Sequence, residues 1–186
     1  MPNPLRLIFL IASLTSLNAC AGTTASIPAE LALLLTTMSE RLNVADQVAL
    51  TKWDSGKPIQ DSPREAQVIA AAAKLAPAYK LDAEEVSQFL AAQIEANKLV
   101  QYGLLAKWSE AGSAPTSVRP DLVQQIRPQL DQLQIRLLQN YAAFAPYRQD
   151  PRCPSWLNQQ RRKLSSDALH DLALIRAAGE LCVIRK

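Results

Sequence analysis

The chain is short of glycine, aromatics, histidine and cysteine, and each shortage excludes something. Five glycines and 5% aromatics among 186 residues supply too few turn formers and strand-forming side chains for a sheet sandwich. The Leu, Ala, Gln, Glu, Lys and Arg that fill the background are helix formers, so an all-α fold is expected. One histidine, His170, and three distant cysteines, Cys20, Cys153 and Cys182, leave no CxxC or HExxH spacing, and no metal is expected. The glycine-rich dinucleotide pattern, the P-loop and the GxSxG elbow are also missing, and with them the parts that nucleotide-cofactor and serine-hydrolase chemistry need. An enzyme made from this chain is expected to use no cofactor and no nucleophile. Charge of one sign is scarce too: 20 basic residues stand against 17 acidic ones, and the longest basic run is Arg161-Arg162-Lys163. That balance is too even for a dedicated nucleic-acid binder. What is present, 48% hydrophobic residues over this length, suffices for one globular domain.

The first residues read as an address. Arg6 precedes an apolar run from Leu7 to Leu17 and then small residues, the order of a secretory signal, and the run is too short to span a bilayer. A cut after Ala21 would leave residues 22–186 as the mature domain, in the periplasm or secreted. Leu17-Asn18-Ala19-Cys20 offers a second reading, a lipoprotein box with Cys20 lipidated, although Asn18 fits that box poorly. After the cut only Cys153 and Cys182 remain, an even pair in an oxidising compartment, and a disulfide between them is expected rather than two buried thiols. On the chain-entropy view such a bond stabilises the fold by roughly 3–4 kcal/mol.

Hydrophobic periodicity lays out about six helices. Ser26 and Pro28 open a stripe of Leu31, Leu34, Leu35, Met38, Leu42, Ala45 and Ala49 that runs to about Trp53, before Gly56 and Pro58. Ser62-Pro63-Arg64-Glu65 reads as a capping box opening a short Ala-rich helix that ends near Pro77. Asp82-Ala83-Glu84-Glu85 starts a long one carrying Val86, Leu90, Ile94, Leu104 and Trp108, which stops before Gly112. A small-residue linker to Pro120 follows. Leu122, Ile126, Leu130, Leu133, Leu137 and Tyr141 then carry a fourth helix that Pro128 should kink or interrupt. Ser155 and Ser165 or Ser166 look like the N-caps of two shorter helices that return Cys182 to Cys153.

Polar residues stand where the core should be. At about 100° per residue, Gln93, Asn97 and Gln101 fall within about 80° of one another, inside the arc of Val86, Leu90, Leu104 and Trp108. Left unsatisfied, each buried amide would cost about 1–3 kcal/mol. They require either one another, in a ladder or wet seam, or a bound polar ligand. Arg41 and Lys52 point within about 20° of one another at the edge of the first stripe; snorkelling from the rim would explain either alone. Arg64 lies in the first turn of the second helix, where free N–H groups favour anions, and Arg136 beside the Leu133–Leu137 stripe. Four cations and three amides converging in this way would suit a small polyanion. Glu65 is either a capping partner or an acceptor for a ligand hydroxyl, Asp61 a loop or cap residue, and His170 is assigned no role.

These residues resemble the all-helical chorismate mutases, and within them the exported subclass. The resemblance runs through Arg41-Leu42, Ala45-Asp46, Val48-Ala49 and Lys52-Trp53, then Pro58-Ile59, Asp61 and Arg64-Glu65, then Gln93-Ile94-Glu95-Ala96-Asn97-Lys98 and Gln101-Tyr102. It covers residues 27–111 strongly and the C-terminal extension, 120–186, more loosely. It implies the cofactor-free rearrangement of chorismate to prephenate, in which an ether C–O bond breaks and negative charge grows on its oxygen. The protein's share is positioning and preorganised electrostatics. By matched position, Arg41 and Arg136 would clamp the two carboxylates and Arg64 would assist. Lys52 and Gln101 would donate to the ether oxygen, Glu65 would take the ring hydroxyl, and Asn97 would support a carboxylate or the loop around Asp61. A homodimer is the family expectation, with each site complete in one protomer. Isochorismate pyruvate lyase-like chemistry on the same scaffold, or a non-enzymatic periplasmic anion-binding protein, are the rival readings.

Overall fold

The computed structural model describes residues 26–164 and 167–183, and among these the secondary structure is entirely helical. Six α-helices follow one another: α1 (Ala29–Ser55), α2 (Ser62–Leu75), α3 (Ala83–Ala111), α4 (Arg127–Phe144), α5 (Cys153–Leu164) and α6 (Ala168–Ala177). Short 3-10 turns, Ala76–Tyr79 and Ala145–Tyr147, follow α2 and α4. The signal-like residues 1–21, with Cys20, lie outside the described residues.

The long α1 buries the whole anticipated stripe from Leu31 to Ala49. It ends at Gly56, whose left-handed φ of 63° closes the C-cap with its N–H on the Lys52 carbonyl. Around α1 pack α3 and α4, with α2 and α6 laid on α3 and α5 closing the end. The core centres on Phe89 and Tyr141, stacked with ring centroids 4.3 Å apart.

Helix ends depart from expectation by short shifts with clear causes. Asp61, not Ser62, caps α2: its Oδ1 accepts the Arg64 N–H at 3.2 Å, and Glu65 Oε1 accepts the Asp61 N–H at 3.0 Å. A carboxylate suits the positive helix terminus as an acceptor better than a hydroxyl does, and the box therefore sits one residue earlier. Asp82 caps α3 as anticipated, on the Glu85 N–H at 2.9 Å. Ser155 lies inside α5, which begins two residues earlier at Cys153 with the Cys153 N–H on the Asp150 carbonyl at 2.9 Å. Pro154 suits that first turn, where its missing N–H is harmless. Ser165 and Ser166 are outside the described residues; the cap found on α6 is Asp167, which accepts from the N–H groups of Leu169 and His170.

Pro128 interrupts its helix as expected. A π-turn, Leu122–Ile126, precedes α4, with the N–H groups of Gln125 and Ile126 both reaching the Asp121 carbonyl at 3.0 Å. The wider turn accommodates a proline ring that would clash with the carbonyl one tight turn earlier.

The C-terminal helices are fastened to the bundle at several points. Cys153 and Cys182 are bonded, with Cα atoms 5.7 Å apart. Arg148 donates to the carbonyls of Leu181 and Glu180, pairs with Glu85 of α3 at 2.7 Å and lies over the Tyr141 ring. His170 of α6 sits between Asp167 at 2.8 Å and Asp46 of α1 at 3.1 Å. Gly103 of α3 lets Leu169 approach so closely that an added Cβ would sit 2.6 Å from its methyl.

Candidate active site

A cavity of about 150 Å³ opens between α1, the loop after it, the start of α2, the middle of α3 and residues 122–134. Val48, Ile59, Val68, Ile94, Leu122 and Leu130 give it apolar walls, and between them stand Arg41, Lys52, Arg64, Lys98 and Arg127. Three carboxylates, Asp61, Glu65 and Asp131, also face it. The lining therefore carries two net positive charges, the complement of a dianion.

Arg41 is the most unusual of these groups. Its residue is only 6% exposed, and its Nε has no hydrogen-bond partner. Burial pushes its pKa down to about 10, partly offset by the negative charge of Asp131. Snorkelling is thereby excluded: the guanidinium is held inside the protein beside a cavity. A buried, under-partnered cation is costly by itself and becomes favourable when a carboxylate arrives.

The three buried amides divide between the two readings left open by the pattern. Gln93 points away from the cavity and donates from Nε2 to the Ala177 carbonyl at 2.8 Å, fastening α6 to α3. Asn97 and Gln101 line the cavity. Gln101 Nε2 donates to Asn97 Oδ1 at 2.8 Å, and Asn97 Nδ2 donates to the Arg41 carbonyl at 3.2 Å. The pair thus props α1 at Arg41 rather than the loop around Asp61. An amide nitrogen carries two N–H groups, so Gln101 keeps a second donor after serving Asn97.

The loop joining α1 to α2 is folded back onto the site by two lysines. Lys52 Nζ donates to the Pro58 carbonyl at 2.7 Å. Lys98 Nζ reaches Gln60 Oε1 at 2.9 Å and Glu65 Oε2 at 3.2 Å, and it also pairs with Glu95 at 2.6 Å. Burial opposes the charge on Lys98, but its bonds to Glu95 and Glu65 outweigh it and hold its pKa above the ordinary lysine value. Glu65, which caps α2 through Oε1, still faces the cavity, so capping and ligand contact are compatible.

Arg136 is not brought to this place. It pairs with Glu40 and lines a separate groove with Asn43, Gln47, Gln129 and Gln132. The cation that α4 gives to the cavity is Arg127, nine residues earlier, and nine residues at about 100° each put the two on opposite faces of the helix. Arg127, Asp131 and Gln134 share the inward face. Arg127 and Lys98 were missed in the sequence. Helical phase relative to Arg136 was the available signal for the first; for the second it was Lys98's place directly beside Asn97. Among the described residues no group of three or more His, Cys, Asp or Glu side chains is placed to hold a metal ion.

Fold and site together define an all-helical protein that gathers cations and amides around a cavity fit for a small anion. Comparison with known proteins gives that class a family. The profile of the family described as chorismate mutase type II matches residues 32–102. A secreted chorismate mutase of Mycobacterium tuberculosis is 30% identical over 157 residues, spanning 82% of this chain and 78% of that one. A solved chorismate mutase from Burkholderia phymatum superposes with a TM-score of 0.79 at 44% identity, over 84% of this chain and all of the other. One from Burkholderia thailandensis gives 0.80 at 36%, over 83% of this chain. The chain belongs to the chorismate mutase family, in its exported all-helical subclass, and is an enzyme of that family.

Proposed function

We propose that this chain rearranges chorismate to prephenate in the cavity between α1, α2, α3 and residues 122–134, and that it does so outside the cytoplasm after loss of residues 1–21. The observation that carries the reading is Arg41, a buried cation with a free Nε on the cavity wall. Arg41 and Arg127 take the two carboxylates, each able to form the paired bonds that a planar guanidinium offers, and Arg64 assists from the first turn of α2. Arg127 thereby replaces Arg136 in the role that the resemblance suggested.

With both carboxylates held, the substrate sits in its compact reactive conformer, and the entropic share of the barrier is met on binding. As the ether C–O bond breaks and a C–C bond forms between the enolpyruvyl side chain and the ring, Lys52 Nζ and the second N–H of Gln101 donate to the oxygen on which charge grows. Donors fixed in a site with apolar walls stabilise that charge without reorganising. Glu65 accepts the ring hydroxyl. The secreted relatives and the disulfide support export. A homodimer with a complete site in each protomer is part of the proposal.

The test is to mix purified mature protein, starting at Gly22, with chorismate and identify the product. Prephenate is expected, with kcat in Lys52→Ala lower by about 10²–10³, the usual effect of removing one oxyanion donor. A different product would move the chemistry to a sibling reaction on the same scaffold. Binding without turnover by a folded, disulfide-bonded protein would overturn the proposal.

A further inference from the structure

Lys98 lines the cavity, is 8% exposed and carries a stabilised positive charge, yet it is poorly placed to clamp a substrate. An ammonium has three N–H donors, and here they meet three acceptors: Glu95 at 2.6 Å, Gln60 Oε1 at 2.9 Å and Glu65 Oε2 at 3.2 Å. The contrast with Lys52 is sharp, since that lysine meets a single neutral carbonyl and keeps its charge free for a ligand.

The acceptors of Lys98 come from three places: Glu95 from α3 itself, Gln60 from the loop after α1, and Glu65 from the first turn of α2. Gln60 Nε2 in turn donates to Glu65 Oε2 at 3.3 Å, while Glu65 Oε1 holds the Asp61 N–H. Lys98 is therefore the tie between the middle of α3 and the segment from Gln60 to Glu65, which also carries Arg64. Each bond from its charged nitrogen is of the stronger, charge-assisted kind.

We infer that Lys98 is a positioning residue: it orients the Glu65 carboxylate toward the substrate's ring hydroxyl and holds the Gln60–Glu65 segment against α3, without touching the reacting atoms. This rests on the proposed chorismate mutase activity. Glu65 would contact the hydroxyl equally in ground and transition states, so loss of Lys98 falls on KM and leaves kcat largely intact.

The experiment compares wild type, Lys98→Met, Lys98→Arg, Glu65→Gln and the Lys98→Met/Glu65→Gln double variant on chorismate, well below their melting temperatures. Lys98→Met is expected to raise KM about 10- to 100-fold, the range for losing charged hydrogen bonds, with kcat changed much less. Lys98→Arg should recover most of the loss, and in the Glu65→Gln background Lys98→Met should add little. A structural role alone would lower the melting temperature and leave KM where it was. An unchanged KM in Lys98→Met, an additive double variant, or a fall in kcat with KM constant would each overturn the inference while wild-type turnover upheld the activity. Absence of turnover in wild type would overturn both.

Discussion

Arg41 illustrates how function and stability pull apart at one residue. Its folded pKa of about 10 lies below the ordinary arginine value, so between the two the unfolded chain binds the proton more readily, and at every lower pH the buried charge opposes folding. The size of the shift puts that opposition on the order of 3 kcal/mol. Arg41→Met, which removes the charge and keeps an apolar stem, is expected to raise the melting temperature of the ligand-free protein by up to about 10 °C. The same change should abolish the upward shift that chorismate or a transition-state analogue produces in wild type, and a thermal melt with and without ligand checks both halves. Gln101 carries a second prediction. An amide donates at any pH, whereas a carboxyl donates only when protonated. Wild-type kcat should stay nearly flat from mildly acid to mildly alkaline pH, and that of Gln101→Glu should fall as pH rises. Much of the site was legible at this scale because helical phase turns Asn97 and Gln101 inward and sets Arg41 at the edge of the core stripe; that Arg41 is buried there and does not snorkel is decided by the packing around it. Gln93 obeys the same phase and yet serves α6, because phase shows which face is inward and says nothing of what waits there.

At the level of elements, the first four helices were readable from stripe and cap, and the start of α2 was blurred because two good capping residues, Asp61 and Ser62, stand side by side. The path of α4 was harder. Pro128 announced an interruption but not its form, and the π-turn before it leaves Arg127 at the start of the helix with its side chain on the inward face. Arg136, which looked better placed beside the Leu133–Leu137 stripe, faces Glu40 instead. The ends of α5 and the C-terminal tail are joined by the Cys153–Cys182 bond across 29 residues of sequence. Neither α5 nor α6 lines the cavity. Their separation makes stability and catalysis independently testable. Cys153→Ser with Cys182→Ser should lose roughly 3–4 kcal/mol, seen as a drop in melting temperature on the order of 10 °C. The kcat of the folded protein at 25 °C should be essentially unchanged. A proportionate loss of kcat would mean that the two C-terminal helices shape the site through α3, by way of Gln93 and Leu169.

For the whole molecule, the question is how many chains a site needs. In a symmetric dimer a site can be completed by a residue lent across the interface, and each copy then depends on the other. Here α1, α2, α3 and residues 122–134 of one chain bring five cations to a single cavity. The extension beyond residue 120 contributes Arg127 to the cavity formed by its own chain. A homodimer of this protein should therefore contain two independent sites, and a mixing experiment reads this directly. Arg41→Ala and Arg127→Ala are each expected to be inactive. Equal amounts of the two, denatured together and refolded, should remain inactive, because every protomer carries one defect in its own site. Were Arg127 donated to the neighbour's cavity instead, half of the dimers would be mixed and each would hold one intact site. About a quarter of wild-type activity would then return. A mixture that stays inactive while the same protocol restores wild type places Arg41 and Arg127 of each site on one polypeptide.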